Sequence, residues 1–588
     1  MWTESGGSSS DVEAKPSSSR RSDSTIETST NDGSGPVIQE TVRYPTSEEV
    51  DFVIIGSGAA GGVIAKELST NGFSVVVMEQ GPYLRPFQFS HDEVENYFGE
   101  GLDGRLQDHP HSFRASADQD AAPAFFMPSL FYAKAVGGST LHFAANYWRL
   151  RPVDFQERSL LGPISGTTFA DWPITYDELE PYYTKVDWEV GVSGEPGPGD
   201  PRRSSGYPVP PMPIKSSGVL LRDGAERMGY TSKPAPLAVL SQPHNGRAAC
   251  VHCGFCWGQA CEVGAKSSTL VSMIPVAERT GRCEVRDRSV VTRIETNAAG
   301  RISRVIYQDP DGVEQAQPAK AVVLCANGAE TPRLLLHSES SQHPNGLANS
   351  SGLVGKNLMF NYNSQTWARF SEPLNEYKSV VATRVVTDFY ESDARRGFYG
   401  GGGIDARATI GPMFWSAFDN PMPGMPSWGP EFKQQLRNYN YTMAAVGHST
   451  SLPQETNTIE LDPDLIDAWG RPGIRTTYTD HPDDLAFGGF LRDRCAEIME
   501  AAGAEQVTPL PLAPSTRAAH LLGTCRMGND PQSSVVDRFH RAHDVPNLFI
   551  CDGSSMVTSG RGQPTMTIQA LAFRAADHMT EAANAGDI

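Results

Sequence analysis

The chain has 588 residues, several times the length of a usual domain, so two or more lobes around a sizeable core are expected. Its formal charge of −20 at pH 7 opposes binding to nucleic acid or to an anionic membrane surface and favours a small-molecule partner. The sequence contains no apolar run of about 18 residues that could span a bilayer. Its N-terminus also lacks the apolar centre of a secretory signal, so a cytoplasmic location is predicted.

The first 46 residues differ in composition from the rest of the chain. They are rich in Ser, Thr, Glu, Asp and Gly and contain few large apolar side chains. Such a segment cannot bury enough apolar surface to offset the conformational entropy that ordering would remove. We therefore predict a disordered, Ser-rich tail over residues 1–46.

A glycine-rich turn follows the first apolar segment of the chain. Residues 50–62 read VDFVIIGSGAAGG, and a second apolar segment, SVVVMEQG, covers residues 74–81. The pattern predicts half of a Rossmann unit, in which the helix start binds a pyrophosphate and the acidic residue binds a ribose hydroxyl. The predicted nucleotide-binding residues are Gly56, Gly58, Ala59, Ala60, Gly61 and Glu79. This motif alone is compatible with either FAD or NAD.

Five further segments occur downstream of this unit. They read KAVGGSTLHFAANYWRLRPV (134–153), VVLCANGAETPRLLLHS (322–338), GLVGKNLMFNYN (352–363), HLLGTCRMG (520–528) and NLFICDGSSMVTSGRGQPTMTIQALAFRAADHM (547–579). Together with the glycine-rich unit they resemble, in order from about residue 48 to 585, the glucose-methanol-choline (GMC) family of flavin oxidoreductases. The resemblance implies FAD as cofactor and oxidation of an alcohol to a carbonyl by hydride transfer to flavin N5.

The resemblance also assigns residues to the flavin. The Gly-Gly-Ser turn of the first segment would wrap the flavin, and the last segment is typical of a strand, an Asp-Gly turn and a helix with proline in its first turn. The implied FAD-binding residues are Gly137, Gly138, Ser139, His142, Asn146, Ala326, Asp552, Gly553 and Thr565. His142 lies near the position at which some members attach FAD covalently, but Leu141 shifts the register, so noncovalent FAD is expected.

Alcohol oxidation requires a base that removes the hydroxyl proton while hydride leaves the same carbon. The resemblance assigns this role to His520. The family's second position, usually His or Asn before a Pro-Thr pair, is Gln563 in this chain. Glutamine cannot act as a base, but its amide can donate a hydrogen bond to the substrate oxygen. Gln563 is therefore interpreted as a residue that orients the substrate.

Four of the nine cysteines lie close together in the sequence, at Cys250, Cys253, Cys256 and Cys261. Their spacing has the density of an iron-sulfur or zinc site, and related sugar dehydrogenases carry a comparable segment. Buried thiols, a disulfide or a redox sensor are alternatives that the sequence leaves open. An iron-sulfur cluster is not favoured, and no metal is assigned.

The predicted fold class is α/β, with two lobes. A Rossmann-type FAD-binding domain is expected from residues 48–150, 250–360 and 515–588. A substrate-binding domain of mixed β-sheet plus helices is expected from residues 151–249 and 361–514.

Overall similarity favours the family branch that contains gluconate dehydrogenase, pyranose oxidase and glycoside 3-oxidases. The expected substrate is therefore an alcohol group on a sugar or glycoside. Aryl, aliphatic or sterol alcohols are alternatives, as is a non-redox lyase or a light-driven decarboxylase on the same scaffold. The electron acceptor is left open among oxygen, a quinone and a redox protein.

Overall fold

The computed structural model describes residues 41–98, 102, 104–124, 128–407, 411–417 and 428–588. Residues 1–40 of the predicted tail lie outside the described residues. Residues 41–46, which end the predicted tail, are described, and Tyr44 among them contacts the strand Cys283–Arg286. The backbone N–H of Tyr44 donates to the Glu284 carboxylate over 2.8 Å, and Arg286 donates to the Tyr44 carbonyl over 2.6 Å.

The strands of the described residues are short and distributed along the whole chain. In chain order they are β1 (Val50–Ile55), β2 (Val75–Met78), β3 (His111–Arg114), β4 (Ala122–Pro123), β5 (Ser232–Pro234), β6 (Cys283–Arg286), β7 (Val290–Thr296), β8 (Ile302–Gln308), β9 (Glu314–Leu324), β10 (Asn363–Arg369), β11 (Ala382–Val386), β12 (Gly402–Arg407), β13 (Thr442–Ser449), β14 (Thr458–Ile466), β15 (Pro472–Thr477), β16 (Gln506–Pro509) and β17 (Leu548–Ile550).

The α-helices differ widely in length. They are α1 (Ala59–Thr70), α2 (Glu93–Phe98), α3 (Glu157–Leu161), α4 (Tyr176–Val186), α5 (Ser216–Arg227), α6 (Thr269–Ser272), α7 (Ile274–Arg279), α8 (Asn327–His337), α9 (Pro412–Ala417), α10 (Gly429–Arg437), α11 (Pro482–Ala501) and α12 (Thr565–Ala585). Short 3₁₀ turns cover Pro86–Gln88, Gly138–Thr140, Pro152–Phe155, Ala394–Arg396, Asn438–Tyr441 and Gly553–Ser555, and a π-helical turn covers Asp187–Gly191. Within the described parts of the chain, no helix has the length and apolar character needed to cross a membrane.

The largest sheet contains the predicted nucleotide-binding unit. Its strand order is β6-β2-β1-β9-β8-β7, with β17 also paired to β9. The pairs among β6, β2, β1, β9 and β17 are parallel, whereas β9, β8 and β7 pair in antiparallel fashion. The apolar runs of β1 and β2 are almost wholly buried, as expected of parallel strands covered on both faces. Helix α1 follows β1 directly and packs against α12 from the other end of the chain.

A second sheet is built from the segments between the nucleotide-binding parts. Its order is β16-β10-β13-β12-β11-β5, and each of these pairs is antiparallel. Helices α5 and α11 pack on it and enclose a separate apolar core. A third, mixed sheet has the order β14-β15-β3-β4. The predicted α/β fold, with a Rossmann-type sheet and a second lobe of sheet plus helices, is confirmed.

The direction of the parallel strands positions the site. Because β1, β2, β9 and β17 run the same way, their carboxyl ends lie at one edge of the sheet. The residues that follow these ends, among them Gly56, Glu79, Ala326 and Asp552, are therefore brought together from distant parts of the sequence.

Candidate active site

A cavity of about 990 Å³ lies at this edge of the parallel sheet. Most of the predicted site residues line it, from the nucleotide-binding turn to the C-terminal segment. They are Gly56, Gly58, Ala59, Ala60, Glu79, Gly138, Ser139, His142, Asn146, Ala326, His520, Asp552, Gly553, Gln563 and Thr565. Gly61 and Gly137 are not among the lining residues and act from behind the surface, as described below.

The glycine-rich turn has the close packing that its sequence predicts. Gly56 adopts a φ of +96°, in the left-handed region that favours glycine. A Cβ atom on Gly61 would overlap the carbonyl oxygen of Gly56, so the helix start can approach the strand end only because this position is glycine. Helix α1 begins at Ala59, and its first residues line the cavity with N–H groups that have no partner within the helix. This arrangement fits an anionic pyrophosphate.

Glu79 lies at the end of β2 and is bonded to the same turn. One carboxylate oxygen accepts hydrogen bonds from the Ser57 N–H over 3.1 Å and from its hydroxyl over 2.6 Å, and the other accepts from the Gly81 N–H over 3.0 Å. Burial raises the pKa of the Glu79 carboxyl, although these hydrogen bonds oppose the shift. A fixed carboxylate at the cavity edge fits a ribose hydroxyl as partner.

A second glycine turn packs against the first. A Cβ atom on Gly138 would lie 2.8 Å from the Cα of Gly58, so the two turns touch. Gly137, at φ +105°, donates its N–H to the Ser57 hydroxyl over 3.1 Å. Gly58 and Gly138 both line the cavity, so a ligand bound there meets the backbone of both turns.

Asp552 ties the C-terminal segment to the strand end that carries Ala326. Its carboxylate accepts from the Asn327 N–H over 3.0 Å, from the Thr331 hydroxyl over 2.6 Å and from the Ser554 N–H over 2.7 Å. Burial raises the pKa of this carboxyl. Helix α12 begins at the cavity with Thr565, and its N-terminus places the positive end of the helix dipole there.

His520 is fixed through its Nδ1 atom, which lies 2.8 Å from Oδ1 of Asn361. The Asn361 amide nitrogen donates to the carbonyl of Ser449 over 3.0 Å, and a carbonyl only accepts, so the amide orientation is determined. Oδ1 of Asn361 is therefore an acceptor, and His520 must carry its proton on Nδ1. The neutral ring, which lines the cavity, then keeps Nε2 unprotonated.

Desolvation in the cavity wall lowers the pKa of His520 to about 4, and the neighbouring His448 and Arg407 add to the shift. The imidazole is accordingly neutral at pH 7. A neutral imidazole with a free lone pair is able to accept a proton.

The structure adds a cluster that the sequence did not predict, formed by Asp405 and Arg407 on β12 and by His448 on β13. The Arg407 guanidinium binds both carboxylate oxygens of Asp405, with Nε to Oδ1 at 2.7 Å and Nη2 to Oδ2 at 2.9 Å. Nε2 of His448 lies 2.9 Å from Asp405 Oδ2 and 2.7 Å from Arg407 Nη2. Asn146, which lies in the segment 134–153, donates to Asp405 over 3.1 Å. The cluster therefore joins the second sheet to the predicted flavin site.

The pKa values of Asp405 and His448 are both lowered in this cluster. Burial alone would raise the pKa of Asp405, but Arg407 and then His448 hold it well below its usual range. Burial lowers the pKa of His448, and the attraction of Asp405 only partly opposes this. At neutral pH the cluster is therefore an ionised Asp405–Arg407 pair with a neutral imidazole.

Gln563 contacts this cluster. Its amide nitrogen lies 3.2 Å from Nδ1 of His448. Gln563, which the sequence analysis interpreted as orienting the substrate, thus contacts His448 on β13, another histidine that lines the cavity.

The sequence carries only a weak signal for the cluster of Asp405, Arg407 and His448. The signal consists of two charged residues within an otherwise apolar strand and one histidine in TMAAVGHS.

The cysteine-rich segment forms part of the cavity wall. Cys256 is buried, Cys250 and Cys261 are half-buried and Cys253 is exposed, and all four are free thiols. Among the described residues, no group of three or more His, Cys, Asp or Glu side chains is arranged to hold a metal ion. Trp257 and Gly258 of the same segment line the cavity.

Lys266 holds this segment in place. Its buried ammonium donates to the carbonyls of Phe143, Cys256 and Gln259 over 3.1, 2.8 and 2.7 Å. The cysteine-rich segment is thereby bonded to the segment 134–153. The N–H of Gly258 also donates to the His142 carbonyl over 3.0 Å.

Comparison with known proteins finds similar chains over most of this sequence. Two family models, both described as GMC oxidoreductase, match residues 50–362 and 453–572. A 2-methyl-1,2-propanediol dehydrogenase of Mycolicibacterium austroafricanum is 33% identical over 546 residues, which cover 91% of this chain and 96% of that protein. The fructose dehydrogenase large subunit of Gluconobacter japonicus is 31% identical over 552 residues, covering 90% and 97%. A gluconate 2-dehydrogenase flavoprotein of Pantoea cypripedii is 28% identical over 586 residues, covering 91% and 94%.

A solved structure supports the same fold. A formate oxidase of Aspergillus oryzae RIB40, studied for modification of its FAD, superimposes with a TM-score of 0.63 at 16% identity and covers 92% of this chain and 99% of that chain. At this identity the likeness concerns the fold alone.

Proposed function

Since the chain belongs to the GMC oxidoreductase family of FAD-binding flavoproteins, we propose that it oxidises an alcohol group of a sugar or glycoside to a carbonyl, with His520 as the base. Membership makes the chain an alcohol-group oxidoreductase. Support for a carbohydrate comes from the polar cavity end around His520, His448, Arg407 and Gln563, and from the relatives named for fructose and gluconate.

The cavity residues fit FAD as the cofactor. The cavity wall at Gly58 and Gly138, the helix start at Ala59 and the carboxylate of Glu79 suit the pyrophosphate and the adenosine ribose. Asp552 and the start of α12 suit the flavin half. When bound, FAD supplies an acceptor for the hydride that leaves the carbinol carbon.

The remaining chemistry belongs to the side chains. His520, protonated on Nδ1, presents Nε2 as the acceptor of the hydroxyl proton. The proton that it takes up creates an imidazolium, which Asn361 stabilises through its amide oxygen 2.8 Å from Nδ1. Burial, then His448 and Arg407, lower the pKa of His520, so the ring is unprotonated before substrate arrives. The Asn361–His520 contact is the observation on which this assignment rests.

The proposal is tested by flavin spectroscopy under argon. Sugars and glycosides, then aryl and aliphatic alcohols, are added to the purified protein, and the oxidised flavin absorbance is followed before air is admitted. We expect bleaching by sugars or glycosides, and recovery in air would identify oxygen as an acceptor. Bleaching by apolar alcohols alone would change the substrate class. No bleaching by any alcohol would contradict the proposal and favour the non-redox lyase or light-driven decarboxylase.

A further inference from the structure

Arg407 is a cation that lines the same cavity as His520 and Gln563. It is the last residue of β12, and only 9% of its side chain is exposed. Its guanidinium carbon lies 4.9 Å from the ring centroid of Trp257, another residue of the cavity wall. A cation this deeply buried requires a reason, because burial of charge costs free energy unless the charge is paired.

The carboxylate of Asp405 pairs with the charge of Arg407 but binds only two of the three guanidinium nitrogens. Nε and Nη2 bind the two oxygens of Asp405, and Nη2 also lies 2.7 Å from His448. The third nitrogen, Nη1, has no hydrogen-bond partner within the described part of the chain. The planar group is thus held by the edge that carries Nε and Nη2, which also fixes the direction of Nη1.

His448 and Gln563 further restrain the Arg407–Asp405 pair. Gln563 contacts Nδ1 of His448, while Nε2 of His448 contacts both Arg407 and Asp405. The ring of Trp148 packs edge-on against His448 at 5.5 Å between centroids. Arg407 therefore cannot swing toward or away from a ligand without breaking several contacts, which makes its unused donor a pre-organised one.

We propose that Arg407 is a specificity-determining residue that donates a hydrogen bond to a second oxygen of the substrate, and that the preferred substrates are uncharged diols, polyols and sugars. This inference rests on the proposed function, in which His520 takes the proton of the first hydroxyl.

The uncharged class follows from the local charge balance. The charge of Arg407 is compensated by Asp405, and the neighbouring His448 and His520 are neutral at pH 7, since burial lowers the pKa of each. A carboxylate therefore meets no net positive charge at this end of the cavity. A hydroxyl oxygen still gains a charge-assisted hydrogen bond from the guanidinium.

The test uses substrate pairs that differ in one group. The rate of flavin reduction under argon is measured over a range of substrate concentrations, and the second-order rate constant of reduction is compared for 1,2-propanediol against 1-propanol, and for glycerol against glycerate. We expect the wild type to prefer the diol and glycerol by about tenfold or more, since a site built around a polar contact discriminates against an analogue that lacks the partner. In Arg407→Gln the diol preference should fall to within about threefold of unity, mainly through a higher Kd for the diol.

The matched control is Arg384→Gln on the neighbouring strand β11, whose guanidinium binds Ser232 outside the cavity. It should retain the wild-type selectivity. If Arg407→Gln does not fold or hold flavin, Arg407→Lys keeps a cation for Asp405 and should also lose most of the diol preference.

The outcomes separate the two proposals. Equal treatment of diol and mono-alcohol by the wild type, or an unchanged preference in both Arg407 variants, would overturn the role of Arg407 while leaving alcohol oxidation intact. Preference for glycerate would overturn the uncharged class. Failure of every alcohol to reduce the wild-type flavin would remove the proposed function, and this inference with it.

Discussion

Oδ1 of Asn361 lies 2.8 Å from Nδ1 of His520, and this contact determines which nitrogen of the imidazole carries the proton. The amide cannot be reversed, because its nitrogen donates to the Ser449 carbonyl. The same asparagine therefore sets the tautomer of His520, the proposed base, and links it to β13, the strand that carries His448. His520 and the strand that carries His448 are thus joined through Asn361.

The pH dependence of flavin reduction should respond to Asn361. In the wild type, the rate should fall as the pH falls through about 4, where His520 becomes protonated and can no longer act as a base. A carboxylate beside the ring stabilises the imidazolium, so Asn361→Asp should raise the pKa of His520 and move this fall to higher pH. Rapid-mixing measurements at constant ionic strength provide the profile. An identical profile in the two proteins would show that residue 361 does not act on the base.

Gln563 and His448 should behave as one unit. Gln563→Leu removes the contact with Nδ1 of His448 and should lower kcat/KM by about tenfold, whereas Gln563→Asn retains an amide and should be less harmful. Because the two side chains touch, the effects of Gln563→Leu and His448→Phe should not add in the double variant. Strictly additive losses would mean that Gln563 acts on the substrate independently of His448.

FAD retention should depend on the close approach at Gly61. In Gly61→Ala the new methyl group would meet the Gly56 carbonyl, push α1 from the strand end and widen the pyrophosphate turn. We expect most of the flavin to be lost on gel filtration, measured as the ratio of flavin to protein absorbance. Gly206→Ala is the matched control, since an added Cβ there has no neighbour within 4 Å. Full flavin content in Gly61→Ala would argue against this turn as the FAD site.

Attachment of the flavin can be tested directly. We predict noncovalent FAD despite the position of His142 on the cavity wall. Acid precipitation of the holoprotein should therefore release the flavin into the supernatant. A yellow pellet, with flavin mass on a peptide that contains His142, would be the contrary result.

Part of the candidate site could be predicted from the sequence. The glycine turn and Glu79 were predicted from a local strand-turn-helix pattern and His520 from the family resemblance, and the turn, Glu79 and His520 line one cavity in the structure. Asn361 lay within a family-like segment, but its role depends on contacts with residues 449 and 520. Asp405, Arg407 and His448 meet only because β12 and β13 pair in one particular register, which no local pattern specifies.

The most direct test of the account is the rate of anaerobic flavin reduction in His520→Ala, compared with the wild type and with His543→Ala, a histidine that is not among the cavity-lining residues and contacts Ser534. Removal of a general base should lower the rate by about 10²- to 10⁴-fold at unchanged flavin content, while His543→Ala should stay close to the wild type. A His520→Ala enzyme that reduces its flavin within about threefold of the wild-type rate would contradict the assignment of His520 as the base.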